Sequence, residues 1–200
     1  MKPEDTYIVT ADQETASYIQ KQFPVLNFIK FLIVPKPTSV YDGMTLKYVL
    51  PYMMKVDQVF YVDVDIFAIR PLRQTLPEDS IMVVPEGVST DPNYCGDMTL
   101  DLPHGYTAGF FAYRWGDKTR KIFNAIVNAI QTIPKKYYTL DQPYFNKFLP
   151  LGKILSVDPA IMSGNGNNHL DKAVMVNCCG EPGDGIFHWN KMLQLYLCLQ

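Results

Sequence analysis

The sequence predicts a three-layer α/β domain, in which helices pack against a central sheet. Its 200 residues, 48% of them hydrophobic, suffice for one globular domain with a sizeable core. Segments with strand character alternate with segments with helical character, and no internal repeat or low-complexity tract interrupts them. In folds of this class, ligands bind at the carboxyl ends of the strands.

The strands are predicted from short apolar runs that are rich in β-branched and aromatic residues. In chain order they are Tyr7–Thr10, Asn27–Val34, the run that contains Asp63 and Asp65, Ile81–Val84, Thr107–Arg114, Ile154–Val157 and Ala173–Val176.

The helices are predicted from capping residues and apolar periodicity. Asp12 is a plausible N-cap for a helix to about Gln22, and Asp117 for a helix to about Gln131. A helix from about Met44 to Met54 is expected to be strained or broken near Pro51. Asp141 can cap a short helix with Pro143 in its first turn, and His188–Leu199 is a last amphipathic segment.

Asp63 and Asp65 interrupt an aromatic and β-branched stretch that otherwise predicts a fully buried strand. An unpaired carboxylate there costs several kcal/mol, so it must reach solvent or a cation. If the segment is extended, the two side chains share one face, about 6.5 to 7 Å apart. Such a face can hold a hard divalent cation. In the alternative interpretation, one aspartate caps a turn and the other lies at a solvated strand edge.

Charge and composition exclude several classes. The net charge is −2 without a basic run, which argues against a nucleic-acid partner. The charged start of the chain predicts no signal peptide, and no apolar run has the length of a membrane span. The four cysteines, which are Cys95, Cys178, Cys179 and Cys198, match no zinc pattern. Reduced thiols in a cytoplasmic location are therefore expected.

The common phosphate-binding loops are missing: there is no G-x-G-x-x-G after the first strand and no Walker loop. The first strand instead leads into Thr10, Ala11 and Asp12, which could hold a base and ribose. A nucleotide bound here would need its diphosphate neutralised by a metal and a lysine. The Asp63/Asp65 pair fits that requirement.

Four segments in order carry a family resemblance. The segments are Phe60–Leu72, Tyr106–Arg114, Thr139–Asn146 and Phe187–Lys191. They resemble four segments of the GT-A glycosyltransferases of family 8, which is the glycogenin and galactosyltransferase-like family. In the same order, those segments are the metal strand, the Asn-Ala/Ser-Gly strand, the Asp-Gln-x-x-x-Asn segment and the closing His-Phe-x-Gly-x-x-Lys-Pro-Trp. Thr107 stands where Asn is usual, and the closing segment is contracted. The chain also resembles a compact glycosyltransferase domain of a chlorovirus-encoded enzyme.

The resemblance implies a single GT-A domain over residues 1–200, Rossmann-like with a mixed central sheet, and a metal site. Asp63, Asp65 and His188 would bind Mn²⁺, with Mg²⁺ as the alternative; an imidazole ligand favours Mn²⁺. Lys191 would contact the diphosphate. His169, in the Gly/Asn loop Ser163–His169, is the competing metal ligand.

The resemblance also implies donor contacts. These would come from Thr10, Ala11, Asp12, Lys47, Asp63, Val64, Thr107, Ala108, Gly109 and Lys191. For Lys47, the alternative interpretation is an exposed helix lysine; for Asp12, it is a helix cap alone. Gly109 would let the donor sugar approach the backbone, although a strand glycine can equally mark a bulge. His104, Tyr106 and the loop Gly87–Gly105 would shape the acceptor side.

The predicted function is metal-dependent, retaining transfer of a sugar (glucose, galactose or a deoxyhexose) from a UDP-sugar to a glycan or other hydroxyl acceptor. Asp141 and Gln142 are the predicted catalytic residues, beside the sugar's reactive carbon. Because the chain ends in an apolar segment at Gln200, other domains of the same polypeptide are among the expected partners.

Two alternatives from other classes stay open. A haloacid-dehalogenase-like phosphatase also uses Asp-x-Asp, but normally on its first strand and followed by Thr or Val. Here the pair lies on a later strand and is followed by Ile66 and Phe67. A noncatalytic nucleotide- or carbohydrate-binding module is the second alternative, if the pair binds no metal.

Overall fold

The computed structural model describes residues 6–24, 27–54, 56–72, 75–85, 105–133, 140–158, 161–163 and 172–178. The strands are β1 (Tyr7–Thr10), β2 (Lys30–Ile33), β3 (Gln58–Val62), β4 (Ile66–Ala68), β5 (Ser80–Pro85), β6 (Tyr106–Arg114), β7 (Lys153–Ser156), β8 (Met162–Ser163) and β9 (Met175–Asn177). The helices are α1 (Gln13–Gln22), α2 (Val40–Met54), α3 (Asp117–Thr132) and α4 (Gln142–Phe148), which a 3₁₀ turn (Leu149–Leu151) follows. The chain divides into two compact units, Met1–Gly43 and Met44–Gln200.

The first unit contains a parallel pair of strands and one helix. Strands β1 and β2 pair from Tyr7 with Lys30 to Thr10 with Ile33. Helix α1 begins after Asp12, whose Oδ1 accepts from the Thr15 N–H at 2.6 Å, as expected for an N-cap. The second strand is shorter than predicted, because residues 27 and 28 lie in a turn.

Helix α2 is longer than the sequence predicts. It begins at Val40 rather than near Met44 and runs without a break to Met54, so the expected break near Pro51 is wrong. Ser39 explains the early start, because its Oγ accepts from the Asp42 N–H at 3.1 Å. Lys47 and Tyr48 are buried in the middle of this helix.

The second unit contains a four-stranded mixed sheet in the order β3-β6-β5-β7. Strand β6 runs antiparallel to both β3 and β5, whereas β5 and β7 are parallel. The central strands are almost fully buried, with Ile81, Met82 and Val83 on β5 and Phe110 and Phe111 on β6. Burial of these large apolar side chains is the main stabilising term of the unit.

The extended conformation predicted for Asp63 and Asp65 is wrong. Strand β3 ends at Val62, and both aspartates lie in a turn that leads to β4. The Ile66 N–H donates to the Asp63 carbonyl at 3.1 Å and closes this turn. Strand β4 then joins a separate sheet in the order β4-β9-β8. The chain therefore leaves the central sheet at the aspartates, at the carboxyl end of β3.

Helix α3 matches the predicted span, but its cap differs. Gly116 is the N-cap and Asp117 is the first helical residue. The carboxylate of Asp79 satisfies the first turn instead: it accepts from the N–H groups of Lys118 at 3.0 Å and of Thr119 at 2.7 Å. In α4, Asp141 occupies the N-cap position as predicted but makes no side-chain capping bond.

The structure thus confirms a mixed α/β fold with a mixed sheet. The three-layer GT-A arrangement and the single domain over residues 1–200 stay predictions. His188–Leu199 and nearly all of the loops Gly87–Gly105 and Ser163–His169 lie outside the described residues. None of the described helices is both long and apolar enough to cross a membrane.

Candidate active site

The turn that carries the two aspartates is fixed by its backbone. The Asp63 N–H donates to the Gly109 carbonyl at 2.8 Å, which extends the β3–β6 pairing by one residue. The Cys178 N–H donates to the Asp65 carbonyl at 2.8 Å and ties the turn to the end of β9. These bonds fix the backbone of both aspartates in the turn that follows β3.

The side chains of this turn differ in their surroundings. Asp63 and Asp65 are half-buried, and Val64 between them is 89% exposed. The Tyr61 hydroxyl donates to Asp63 Oδ1. Neither Asp63 Oδ2 nor the Asp65 carboxylate has a hydrogen bond to any described residue. Within the described part of the chain, these three carboxylate oxygens therefore keep their acceptor capacity for a ligand.

Gly109 lies directly beneath the Asp63 carboxylate. A Cβ atom at Gly109 would be 3.1 Å from Asp63 Oδ2, 3.2 Å from Ile66 Cδ1 and 3.5 Å from Thr107 Oγ1. The Gly109 N–H donates to Thr107 Oγ1 at 3.1 Å. In the structure, it is thus the Asp63 carboxylate that lies close to the Gly109 backbone.

Burial is the largest single influence on the pKa of Asp63. Burial raises the pKa of the Asp63 carboxyl above its usual range, while the Lys47 ammonium and the Tyr61 hydroxyl act to lower it. The charges of Asp141 and Asp65 add to the rise in this pKa. A further cation at this point would stabilise the ionised form of the carboxyl.

A buried ion pair lies at the centre of the site. Lys47 Nζ is 2.9 Å from Asp141 Oδ2, and the two residues are only 6% and 3% exposed. The Tyr48 hydroxyl donates to the same carboxylate oxygen. Burial, together with the charge of Asp141, raises the pKa of Tyr48 well above its usual range and keeps this hydroxyl protonated. The alternative of Lys47 as an exposed helix lysine is therefore wrong.

Side chains from other elements form hydrogen bonds with the first residues of β6. In this region the pairing of β6 with β5 changes register, between Val83 and Pro85 of β5. At Ala108, the carbonyl accepts from Lys47 Nζ at 3.0 Å, and the N–H donates to Gln142 Oε1 at 3.1 Å. The bond from the Ala108 N–H to Gln142 thus joins the predicted catalytic segment directly to the predicted donor strand.

Asn146 holds the same strand two residues earlier. Its Oδ1 accepts from the Tyr106 N–H at 2.7 Å, and its Nδ2 donates to the Tyr106 carbonyl at 2.9 Å. Nδ2 also donates to the carbonyl of Gln142 at 2.9 Å. An amide side chain here replaces a strand neighbour and satisfies both polar groups of one residue.

The structure brings most of the predicted residues of the second unit into one site. They are Lys47, Asp63, Val64, Asp65, Thr107, Ala108, Gly109, Asp141 and Gln142. Thr10, Ala11 and Asp12 lie at the end of β1 in the first unit, where burial of Thr10 and Ala11 is partial and Asp12 is exposed. The predicted residues His188 and Lys191, and the competing His169, lie outside the described residues.

Three functional candidates had no role in the predictions: Tyr48, Tyr61 and Asn146. Tyr61 could have been found, because residues i and i+2 of a strand share a face, which places its ring beside the side chain that follows β3. Tyr48 and Asn146 are 93 and 40 residues from their partners Asp141 and Tyr106, so no local pattern indicates these contacts.

Comparison with known proteins gives one finding about the fold. No protein-family model and no curated protein matches the sequence. A solved structure that does match is described as a glycosyltransferase involved in the glycosylation of the major capsid of PBCV-1. The two chains superpose with a TM-score of 0.60 at 11% identity, over 94% of this chain and 98% of the other. The fold is glycosyltransferase-like.

This likeness agrees with the sequence resemblance at the level of fold, including the chlorovirus glycosyltransferase noted above. It does not distinguish family 8 from other glycosyltransferase families. The roles of individual residues therefore rest on the geometry of this chain's own site.

Proposed function

We propose that this chain is a glycosyltransferase that uses a divalent cation and a UDP-sugar and preserves the donor's anomeric configuration. The observation that carries the proposal is the turn at the carboxyl end of β3, where Asp63 and Asp65 present carboxylate oxygens without hydrogen bonds to described residues. The glycosyltransferase-like fold supports the same reaction class. The acceptor is a hydroxyl group, on a glycan or another molecule.

The two aspartates suit a hard cation such as Mn²⁺ or Mg²⁺. The described residues contain no group of three or more His, Cys, Asp or Glu side chains that could hold a metal. Two carboxylates complemented by substrate phosphates are a common binding mode for Mg²⁺. A bound cation would neutralise the donor's diphosphate and stabilise the leaving group. His188 is the proposed third ligand, and Lys191 a proposed contact to the phosphates.

The buried polar residues would shape the donor site around this turn. Lys47 binds the carbonyl of Ala108 and Gln142 binds its N–H, and these two bonds would fix the strand on which the sugar would lie. Asp141 Oδ2 contacts Lys47 and Tyr48, and Oδ1 is the atom that would contact a sugar hydroxyl. Thr10, Ala11 and Asp12 are the proposed contacts to the base and ribose.

Attack on the same face as the departing diphosphate is the mechanism we favour. A covalent glycosyl-enzyme needs an activated nucleophile near the anomeric carbon. Asp141 is buried in an ion pair, and Gln142 is a neutral amide that accepts from Ala108. Neither residue is such a nucleophile. Asp141 would orient the sugar, and Gln142 would contact its anomeric region.

The experiment that tests the proposal measures UDP binding by titration calorimetry, with Mn²⁺ and with EDTA. Because the aspartates repel a bare diphosphate, UDP should bind much more tightly with Mn²⁺. Asp65→Ala should abolish this difference, since it removes a proposed metal ligand without removing core volume. Asp117→Asn is the matched control: it neutralises a solvated aspartate of α3 and should leave the difference intact. Equal affinities with and without metal in the wild-type chain would sink the proposed roles of Asp63 and Asp65.

A further inference from the structure

Three tyrosine rings surround the fully buried ring of Phe111. The centroid of this ring is 5.8 Å from that of Tyr48, 5.1 Å from that of Tyr61 and 6.1 Å from that of Tyr113. All three pairs are stacked, with interplanar angles of 10°, 29° and 24°. The three tyrosines therefore all stack on Phe111, and they differ in the hydrogen-bond partners of their hydroxyl groups.

Two of the three hydroxyls end at an aspartate of the candidate site. Tyr48 donates to Asp141, and Tyr61 donates to Asp63. The hydroxyl of Tyr113 is buried and has no hydrogen-bond partner among the described residues. The chain thus contains its own comparison: Tyr113 also stacks on Phe111, but its hydroxyl has no carboxylate partner among the described residues.

The ring of Tyr61 has little freedom to move. Phe111 stacks on it, and Lys47 Nζ lies 5.1 Å from its centroid. Its hydroxyl donates to Asp63 Oδ1, while Oδ2 lies over Gly109, which has no side chain of its own. The carboxylate is therefore confined between a fixed hydroxyl and the β6 backbone.

Asp63 needs this confinement because the strand ends before it. Strand β3 stops at Val62, and the aspartate belongs to a turn whose next residue, Val64, is largely exposed. Sheet packing alone does not determine the direction of its side chain. Hydrogen-bonding partners of metal-binding carboxylates supply such orientation, and their loss typically costs 10- to 100-fold in metal affinity.

We propose that Tyr61 is a positioning residue, which orients the Asp63 carboxylate for the divalent cation through a single hydroxyl group. This inference rests on the proposed function, since it assumes that Asp63 is a ligand of that cation. It assigns to Tyr61 no contact with the donor, the acceptor or the metal.

The test compares Tyr61→Phe with Tyr113→Phe. Each variant loses one hydroxyl oxygen and keeps the ring that stacks on Phe111. Mn²⁺ alone is the probe, with affinity from calorimetry and the environment of the bound ion from electron paramagnetic resonance. Tyr61→Phe should bind Mn²⁺ about 10- to 100-fold more weakly and change the spectrum of the bound ion. Tyr113→Phe should match the wild-type chain in both measurements.

Wild-type affinity in Tyr61→Phe, or an equal loss in both variants, would overturn the positioning role and leave the proposed function standing. A wild-type chain that binds no Mn²⁺, alone or with UDP, would overturn the proposed function instead. Crystal structures without metal test the orientation by itself: the Asp63 carboxylate should rotate away from its wild-type position in Tyr61→Phe. An unmoved carboxylate would contradict the inference whatever the metal does.

Discussion

Lys47 is a single charge with several buried partners. Its ammonium contacts the Asp141 carboxylate and the Ala108 carbonyl, and it lies 5.8 and 5.1 Å from the ring centroids of Tyr48 and Tyr61. A buried ion pair of this kind contributes little net stability relative to an apolar pair, but loss of one partner leaves an uncompensated charge. A substitution of Lys47 therefore measures how much the buried ion pair matters to the free energy of unfolding.

Lys47→Met should lower the free energy of unfolding by about 3 to 5 kcal/mol, because Asp141 would stay buried without its cation. Arg120→Met is the matched control, since it breaks an exposed pair with Asp117 in α3. Its effect should be about 0.5 kcal/mol or less. Urea denaturation of the two variants checks the difference. Losses of similar size in both variants would show that the Lys47–Asp141 pair is not a buried ion pair in solution.

At the level of residues, the sequence indicates the charged groups better than their partners. Asp63 and Asp65 stand out because carboxylates in an apolar run need a special explanation, and the structure does place them at the edge of the sheet. The partner of Asp141, by contrast, is a lysine from a different helix. Contacts between residues so far apart in sequence depend on the tertiary fold, which no local pattern encodes.

At the level of elements, helix α3 shows how a cap can come from a distant segment. Asp79 has φ of 57°, a left-handed conformation that aspartate and asparagine tolerate better than most residues. From there it reaches the first turn of α3, while Gly116 leaves the space: a Cβ at Gly116 would be 2.6 Å from Asp79. The sequence places Asp117 in the right turn, but the observed capping carboxylate lies 39 residues before Lys118.

Asp79→Asn should destabilise the protein by about 1 kcal/mol at neutral pH, because the amide keeps the backbone conformation but loses the charge and one acceptor oxygen. Partial burial acts to raise the pKa of Asp79, yet the hydrogen bonds from Thr119 and Lys118 outweigh it and lower this pKa below its usual range. The charged form thus stabilises the folded state. Its contribution is complete above the unfolded-state pKa of about 3.9 and is lost as the pH falls through the folded-state value.

Chemical denaturation at several pH values checks this sign. The stability difference between the wild-type chain and Asp79→Asn should shrink below about pH 4, where the aspartate takes up a proton. Asp57→Asn, at a largely exposed aspartate, is the control and should show no such convergence. If the stability difference between the wild-type chain and Asp79→Asn stays the same in acid, the effect comes from the shape of the side chain and not from its charge.

At the level of the whole molecule, periodicity predicts the class of fold but not its topology. Alternating strand and helix signals predict an α/β protein, and the mixed sheet β3-β6-β5-β7 confirms that class. The extended conformation predicted for Asp63 and Asp65 is wrong because the apolar residues on both sides of the pair favour one continuous strand. In the structure these residues belong to two different sheets, and only the pairing partners, β6 and β9, decide where one ends and the next begins.

The proposal that this chain transfers a sugar from UDP is tested most directly by incubation with a panel of nucleotide-sugars. Without an acceptor, a glycosyltransferase slowly hydrolyses its donor. We expect release of sugar from one UDP-sugar, with Mn²⁺ present and not with EDTA, and loss of this release in Asp63→Asn. NMR of the first product should show the anomeric configuration of the donor. Phosphate release that is indifferent to the nucleotide would indicate a phosphatase, and no turnover of any donor would indicate a binding module; either result would contradict the proposal.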